Sequence, residues 1–178
     1  MKNDASRAQL QQADGLGHET RADGGDHAAL RLWLRLLATT TQVEDEIRRR
    51  LRQRFGISLP RFDYLAQLER RPEGLKMKEL SRQLMVTGGN VTGLTDELVR
   101  EGLVERVGSP SDRRSWTVRL TDQGRSGFQA MAAEHAQWVQ ALFAGLDAKA
   151  VQQLHGHLGV LRVHLTQLQQ QARSGDTT

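Results

Sequence analysis

The chain has 178 residues; 25 are Lys or Arg, 21 are Asp or Glu, the formal charge is +4, and there is no Cys. This length suggests one domain, or one domain with an appended dimerisation region. The lack of Cys excludes a disulfide framework, a thiolate zinc site and a thiol redox sensor. No run approaches the roughly 18 apolar residues of a membrane span, and the N-terminus has no apolar signal core, so a cytoplasmic protein is expected.

Residues 1–26 are rich in Gly, Asp and Gln and poor in large apolar side chains. They cannot offset the entropy of ordering and read as a disordered tail. From Ala28 onward Leu30, Trp33, Leu34 and Leu37 recur at helical spacing, and Val43, Ile47 and Leu51 continue a face. The spacing predicts a long first helix over about 28–54, ended by Gly56. Its "EDEIRRRLRQR" half reads as a solvated charged face. A second helix starts at Pro60, where a missing N–H costs nothing; Phe62, Leu65 and Leu68 form its buried stripe, and "RPEG" breaks it. Leu75 and Met77 suit a very short strand.

Two short helices follow. "KELSRQLM" carries Leu80 and Leu84; "GGNVTGLTDELVREG" carries Val91, Leu94 and Leu98 and stops at Gly102. Joined by a small-residue turn, they match a helix-turn-helix. Leu103–Val107 and Trp116–Leu120 then alternate around a Gly-Ser-Pro-Ser-Asp loop, which predicts a hairpin. Thr121 suits the N-cap of a helix over about 122–144 with Phe128, Met131, Trp138 and Phe143. Asp147 can cap the last helix, where Val151, Leu154, Leu158, Leu161, Leu165 and Leu168 alternate spacings of 3 and 4. Such a seam serves either a dimer interface or packing within one chain. The polar end after Gln169 should fray, and 173–178 should be flexible.

A helix-turn-helix followed directly by a hairpin is a winged helix, mainly α with a small β-hairpin wing. The second short helix, about 88–100, would lie in the major groove. Thr87, Asn90, Thr92 and Gly93 are its outward positions; Asn can pair with adenine and Thr can touch a thymine methyl or a phosphate. Gly88 and Gly89 would allow close approach and offer N–H groups to a phosphate. The wing carries Asp112, Arg113 and Arg114. Arginine suits a narrow, negative minor groove, and Asp112 can hold the Arg114 guanidinium in one direction. Taken singly, "TGGN" is equally a capped turn and the arginines a solvated loop; their conjunction favours DNA.

Residues 79–124 resemble the MarR family of bacterial transcriptional regulators. The residues that carry the resemblance are Leu80-Ser81, Val91-Thr92, Leu94, Asp96, Leu98, Gly102-Leu103-Val104, Arg106, Pro110, Asp112-Arg113-Arg114, Leu120-Thr121 and Gly124. The flanking helices extend it over about 28–168. The resemblance implies a winged helix-turn-helix domain over 27–172. Its DNA-binding lobe would span about 58–121, and its dimerisation helices about 28–54 and 122–170. It implies a homodimer on a pseudo-palindromic operator, with Arg114 as the minor-groove residue, Asp112 as the acid that orients it, and Thr87, Asn90, Thr92 and Gly93 facing the major groove. Two departures stand out. Gly93 occupies a position where many members have Arg, and Lys76 one where a Thr often caps the third helix, so that helix start is expected to be looser.

The resemblance also implies a repressor released by a small molecule. Zinc is not favoured: His155, His157 and His164 on the last helix lack a partner ligand at i+4, and His135 lies on another helix. No metal or cofactor is expected. The family's pocket region maps to the first, second and fifth helices. There Trp33, Phe62, Met131, His135 and Trp138 offer apolar walls, or simply core, with Arg35 and Arg61 for a carboxylate or phosphate. The "RRRLRQRF" run resembles members that sense aromatic acids or their coenzyme A thioesters. The other reading is a winged-helix protein-interaction module that binds no operator. No catalytic constellation is evident, and "GGNVTG" lacks the Lys-Ser/Thr of a phosphate loop, so no enzyme is expected.

Overall fold

The computed structural model describes residues 27–84, 88–109 and 112–175. The expected N-terminal tail over 1–26 lies outside them. The chain falls into two compact units, one reaching to Ala132 and the other starting at Ala133. The elements of the first are α1 (Ala28–Phe55), α2 (Leu59–Glu69), β1 (Leu75–Lys76), α3 (Met77–Leu84), α4 (Gly88–Arg100), β2 (Val104–Ser109) and β3 (Asp112–Leu120). Helix α5 (Asp122–Phe143) runs through the boundary, and α6 (Ala148–Gly175) completes the second unit. No described helix is long and apolar enough to cross a membrane.

Helix α1 buries only Ile47 and Leu51. Its end follows from Gly56, which takes φ 67° and returns its N–H to the Arg52 carbonyl at 3.1 Å. That left-handed C-terminal turn is open to Gly at no steric cost. The charged half carries a ladder in which Glu46 accepts from Arg49 and Arg50, each at 2.6 Å. Those hydrogen bonds hold the Glu46 carboxyl down at about 2.

The core of the first unit forms where α2, α4 and the sheet meet. From α2 come Phe62, Tyr64, Leu65 and Leu68; from α4 come Val91, Thr95 and Leu98; from the strands come Leu75, Val104, Val118 and Leu120. The inner stripe of α4 therefore differs from the expected Val91, Leu94, Leu98, because Thr95 is fully buried and Leu94 only partly. Helical geometry places 94 and 95 on either flank of the 91–98 line, and hydrogen bonding decides between them. Thr95 Oγ1 donates to the Val91 carbonyl at 2.6 Å and lies 2.6 Å from the Tyr64 hydroxyl, from which it can accept. Burial of the Tyr64 phenol raises its pKa, and the Thr95 hydrogen bond acts in the opposite sense.

The sheet order is β1-β3-β2, antiparallel throughout, with Leu75 opposite Val118 and Val104 opposite Leu120. Met77, expected at a strand, begins α3 instead. The start of α3 is closed by Glu79, whose carboxylate accepts the Lys76 N–H at 3.0 Å. This is the reciprocal half of a capping box, and it compensates for the Thr missing at Lys76. Thr121 caps α5 as expected: its Oγ1 accepts the Gly124 N–H at 2.9 Å and donates to the Gly102 carbonyl at 2.6 Å. Gly124 is needed because a Cβ there would fall 1.8 Å from the Leu103 carbonyl oxygen. Helix α5 is tied to α2 by Arg125–Glu69 at 2.8 Å and by Phe62 against Phe128, ring centroids 5.3 Å apart.

In the second unit Asp147 caps α6, its carboxylate accepting the Ala150 N–H at 2.7 Å. Helix α6 continues to Gly175, beyond Gln169 where fraying was expected. Gln, Ala and Arg are good helix formers, and polarity alone does not stop a helix.

Two outcomes test this packing by denaturant unfolding. Thr95→Val should cost about 1–3 kcal/mol, because it strands the Tyr64 hydroxyl, and Tyr64→Phe about 0.5–1.5 kcal/mol, because Thr95 keeps the Val91 carbonyl. In the Tyr64→Phe background the Thr95→Val cost should shrink; strict additivity would contradict the hydrogen-bond chain. Gly124→Ala should destabilise by at least about 1–3 kcal/mol through overpacking against Leu103, despite the higher helix propensity of Ala; an unchanged midpoint would refute that close approach.

Candidate nucleic-acid interface

Helices α3 and α4 and the β2–β3 hairpin form a helix-turn-helix with a wing. The inner face of α4 is held by Val91, Thr95 and Leu98, so Asn90, Thr92 and Gly93 emerge on the outer face, all exposed. A Cβ at Gly93 would meet nothing within 4 Å, which marks an open outer surface. Gly88 and Gly89 are the first residues of α4. Thr87 lies outside the described residues.

The strands of the wing extend further toward its tip than the alternation suggested. Asp112, Arg113 and Arg114 belong to the backbone of β3 and not to the connecting loop. The pairing register jumps there: Gly108 faces Trp116, whereas Ser109 faces Asp112. Residues 113–115 are thus bulged out of the ladder. A bulge bends its strand and re-aims the side chains it carries. The side chains of Asp112, Arg113 and Arg114 lie outside what the structure describes, and with them the expected Asp112–Arg114 pair. Trp116 continues the face of Val118 and Leu120 but lies beyond the core, half exposed, near Gly108.

Two ion pairs that the sequence pattern had not assigned tie the lobe together. Arg106 on β2 donates to Asp96 on α4, which fastens the wing to the helix beside it. Arg61 on α2 donates to Glu101 just past the end of α4. Both Asp96 and Arg106 stand in the motif quoted above; the missing signal was their partnership, which requires knowing that β2 returns alongside α4. These pairs also neutralise two of the acidic groups around a helix whose only cation is Arg100.

The residues expected at an effector site are distributed as follows. Phe62 and Met131 are buried core members of the first unit, whereas Trp33 is 58% exposed on α1. Arg35 is exposed on the same helix. Arg61 gives one nitrogen to Glu101, while its Nε is buried without a partner among the described residues. His135 and Trp138, in the second unit, meet edge to face with centroids 6.4 Å apart. Burial pushes the His135 pKa below its ordinary value. No cluster of three metal-binding side chains exists among the described residues.

Residues 55–115 match the model of the MarR family. The HTH-type transcriptional regulator PecS of Dickeya dadantii is 27% identical over 114 residues, which cover 63% of this chain and 69% of that protein. A MarR family regulator from Streptomyces coelicolor, solved in complex with DNA, shares the fold with a TM-score of 0.68 at 23% identity, over 80% of this chain and 91% of that one. A MarR family transcriptional regulator from Silicibacter pomeroyi is 32% identical with a TM-score of 0.66, over 79% of this chain and 99% of that one. Shared sequence, element order and winged helix-turn-helix together show that this chain belongs to the MarR family of transcriptional regulators.

Proposed function

We propose that the chain is a homodimeric repressor that reads a pseudo-palindromic operator and is released by a small molecule. The observation that carries the DNA reading is the two-faced α4. One side is locked into the core through Val91, Thr95 and Leu98, and the other presents Asn90, Thr92 and Gly93 to solvent beside an ion-paired wing. On this reading α4 enters the major groove with Thr87, Gly88 and Gly89 at its start. The bulged Arg113 and Arg114 reach the minor groove, and Asp112 orients Arg114.

Support for the dimer comes from apolar side chains left uncovered in the single chain. On α6 Val151, Leu154, Leu158, Leu161, Leu165 and Leu168 are all exposed, and on α1 so are Leu30, Trp33 and Leu37. Six apolar residues in a heptad-like row, each about two-fifths exposed or more, suit burial against a second copy. For the effector we retain an aromatic acid or its coenzyme A thioester. The buried Arg61 Nε–H supports this class, since a buried donor with no partner among the described residues calls for an acceptor. Calorimetric titration with free aromatic acids and their thioesters tests the class. No heat and no loss of DNA affinity across the panel would end it.

The primary experiment is titration of the protein with duplexes from the promoter region beside its own gene, at several salt concentrations. Specific binding should weaken steeply with salt, following the phosphates neutralised. A salt-independent interaction, or none, would favour an acidic protein partner instead. Arg114→Ala should weaken operator binding by about 1–3 kcal/mol without unfolding the protein. Asp112→Ala should weaken it as well, although it removes a negative charge; tighter binding would discard the orienting role. Light scattering should show a dimer, and Leu158→Glu with Leu161→Glu should yield a monomer. A double variant that stayed dimeric would move the interface away from α6.

A further inference from the structure

Trp116 is half exposed, although it shares a sheet face with the buried Val118 and Leu120. The pairing register explains why. Val104 lies opposite Leu120, Arg106 opposite Val118 and Gly108 opposite Trp116, so these positions share one face of the wing. That face is the one turned toward α4, because Arg106 crosses from it to Asp96. Opposite Trp116 the ladder offers only glycine: a Cβ on Gly108 would come 3.6 Å from the six-membered ring of the indole. The indole thus lies over bare backbone, with no cross-strand side chain to cover it. It is also the first ladder position below the register jump that bulges out residues 113–115.

We propose that Trp116 is a further DNA contact, packing its indole against the sugar–phosphate strand that separates the two grooves. The contact rests on the operator reading above. If α4 occupies the major groove and the wing tip the adjacent minor groove, one backbone strand has to pass between them. The wing face turned toward α4 meets that strand, and Trp116 is the large apolar side chain exposed on that face. The chemistry suits deoxyribose. An indole offers a broad apolar surface and one N–H donor. The ring would cover sugar C–H groups while Nε1–H donates to a phosphate oxygen, an uncharged version of the positioning contacts that arginines and lysines make. The neighbouring cation on this face is already paired, Arg106 with Asp96.

The test uses the full-length protein labelled with fluorotryptophan and a duplex from its own promoter region. The chain has three Trp, and the fluorine resonance missing from Trp116→Phe identifies position 116. In the free protein that resonance should broaden with a soluble paramagnetic agent; on adding the duplex it should shift and lose that sensitivity. Trp116→Ala should weaken binding about tenfold, with Trp116→Phe in between, and should keep the wild-type unfolding midpoint. The slope of log affinity against log salt should stay at the wild-type value, whereas losing a phosphate-bound arginine or lysine reduces it by about one. An unrelated duplex should lose affinity by the same factor, because sugar and phosphate carry no sequence information. A resonance equally exposed with and without DNA would overturn the proposal even if Trp116→Ala bound more weakly, since the ring would then act only through the fold of the wing. Protection that rises with protein concentration in the absence of DNA would overturn it in favour of a second copy of the chain. A changed salt slope, or a loss confined to the operator, would contradict the backbone assignment. If the wild-type protein bound no duplex, the operator reading would fall and this contact with it; wild-type binding with an unresponsive Trp116 removes the contact alone.

Discussion

The hydroxyl of Thr95 is buried on the inner face of α4, between the Val91 carbonyl and the Tyr64 phenol. Everything proposed for the outer face depends on that arrangement. A short helix of good amphipathic pattern can rotate about its axis if hydrocarbon alone holds it. A directional bond from a neighbouring helix removes that freedom, because any rotation would leave buried polar groups unmatched. Tyr64 thereby sets which residues of α4 point outward, and Asn90, Thr92 and Gly93 are the result. The Arg106–Asp96 pair extends the same logic to the wing. At the surface such a pair adds little stability, yet it connects the hairpin to the helix beside which it would have to lie on DNA.

Sequence patterning revealed most of this architecture. The limits of α4, the caps at Thr121 and Asp147, and the apolar row of α6 were all legible, because each depends on local chemistry at fixed spacing. The misreadings share one origin: the answer lay in a partner outside the local pattern. Leu94 was expected in the apolar stripe and Thr95 was not, because Thr95 owes its burial to a partner, Tyr64, 31 positions earlier. Lys76 looked like a lost cap until Glu79 accepted its N–H. Asp112 to Arg114 looked like loop residues, since alternation cannot reveal a register jump opposite Gly108 and Ser109.

The effector residues illustrate a different limit. Aromatic and apolar side chains at helical spacing serve core and pocket alike, and pattern does not separate them. Phe62 and Met131 went to the core, whereas Trp33 remained exposed. Arg61, expected to meet a carboxylate ligand, meets the carboxylate of Glu101 while its Nε–H remains buried and unmatched among the described residues.

The central claim is that α4 is anchored as firmly as the sheet while its outer face stays free. Native-state amide hydrogen exchange measures this without any substitution. The amides from Thr95 to Leu98 should exchange with the same opening free energy as Val118 in β3, through global unfolding of the lobe. Exchange of those α4 amides at a free energy well below that of Val118 would mean that the helix opens on its own. The reading face would then not be set by its buried side.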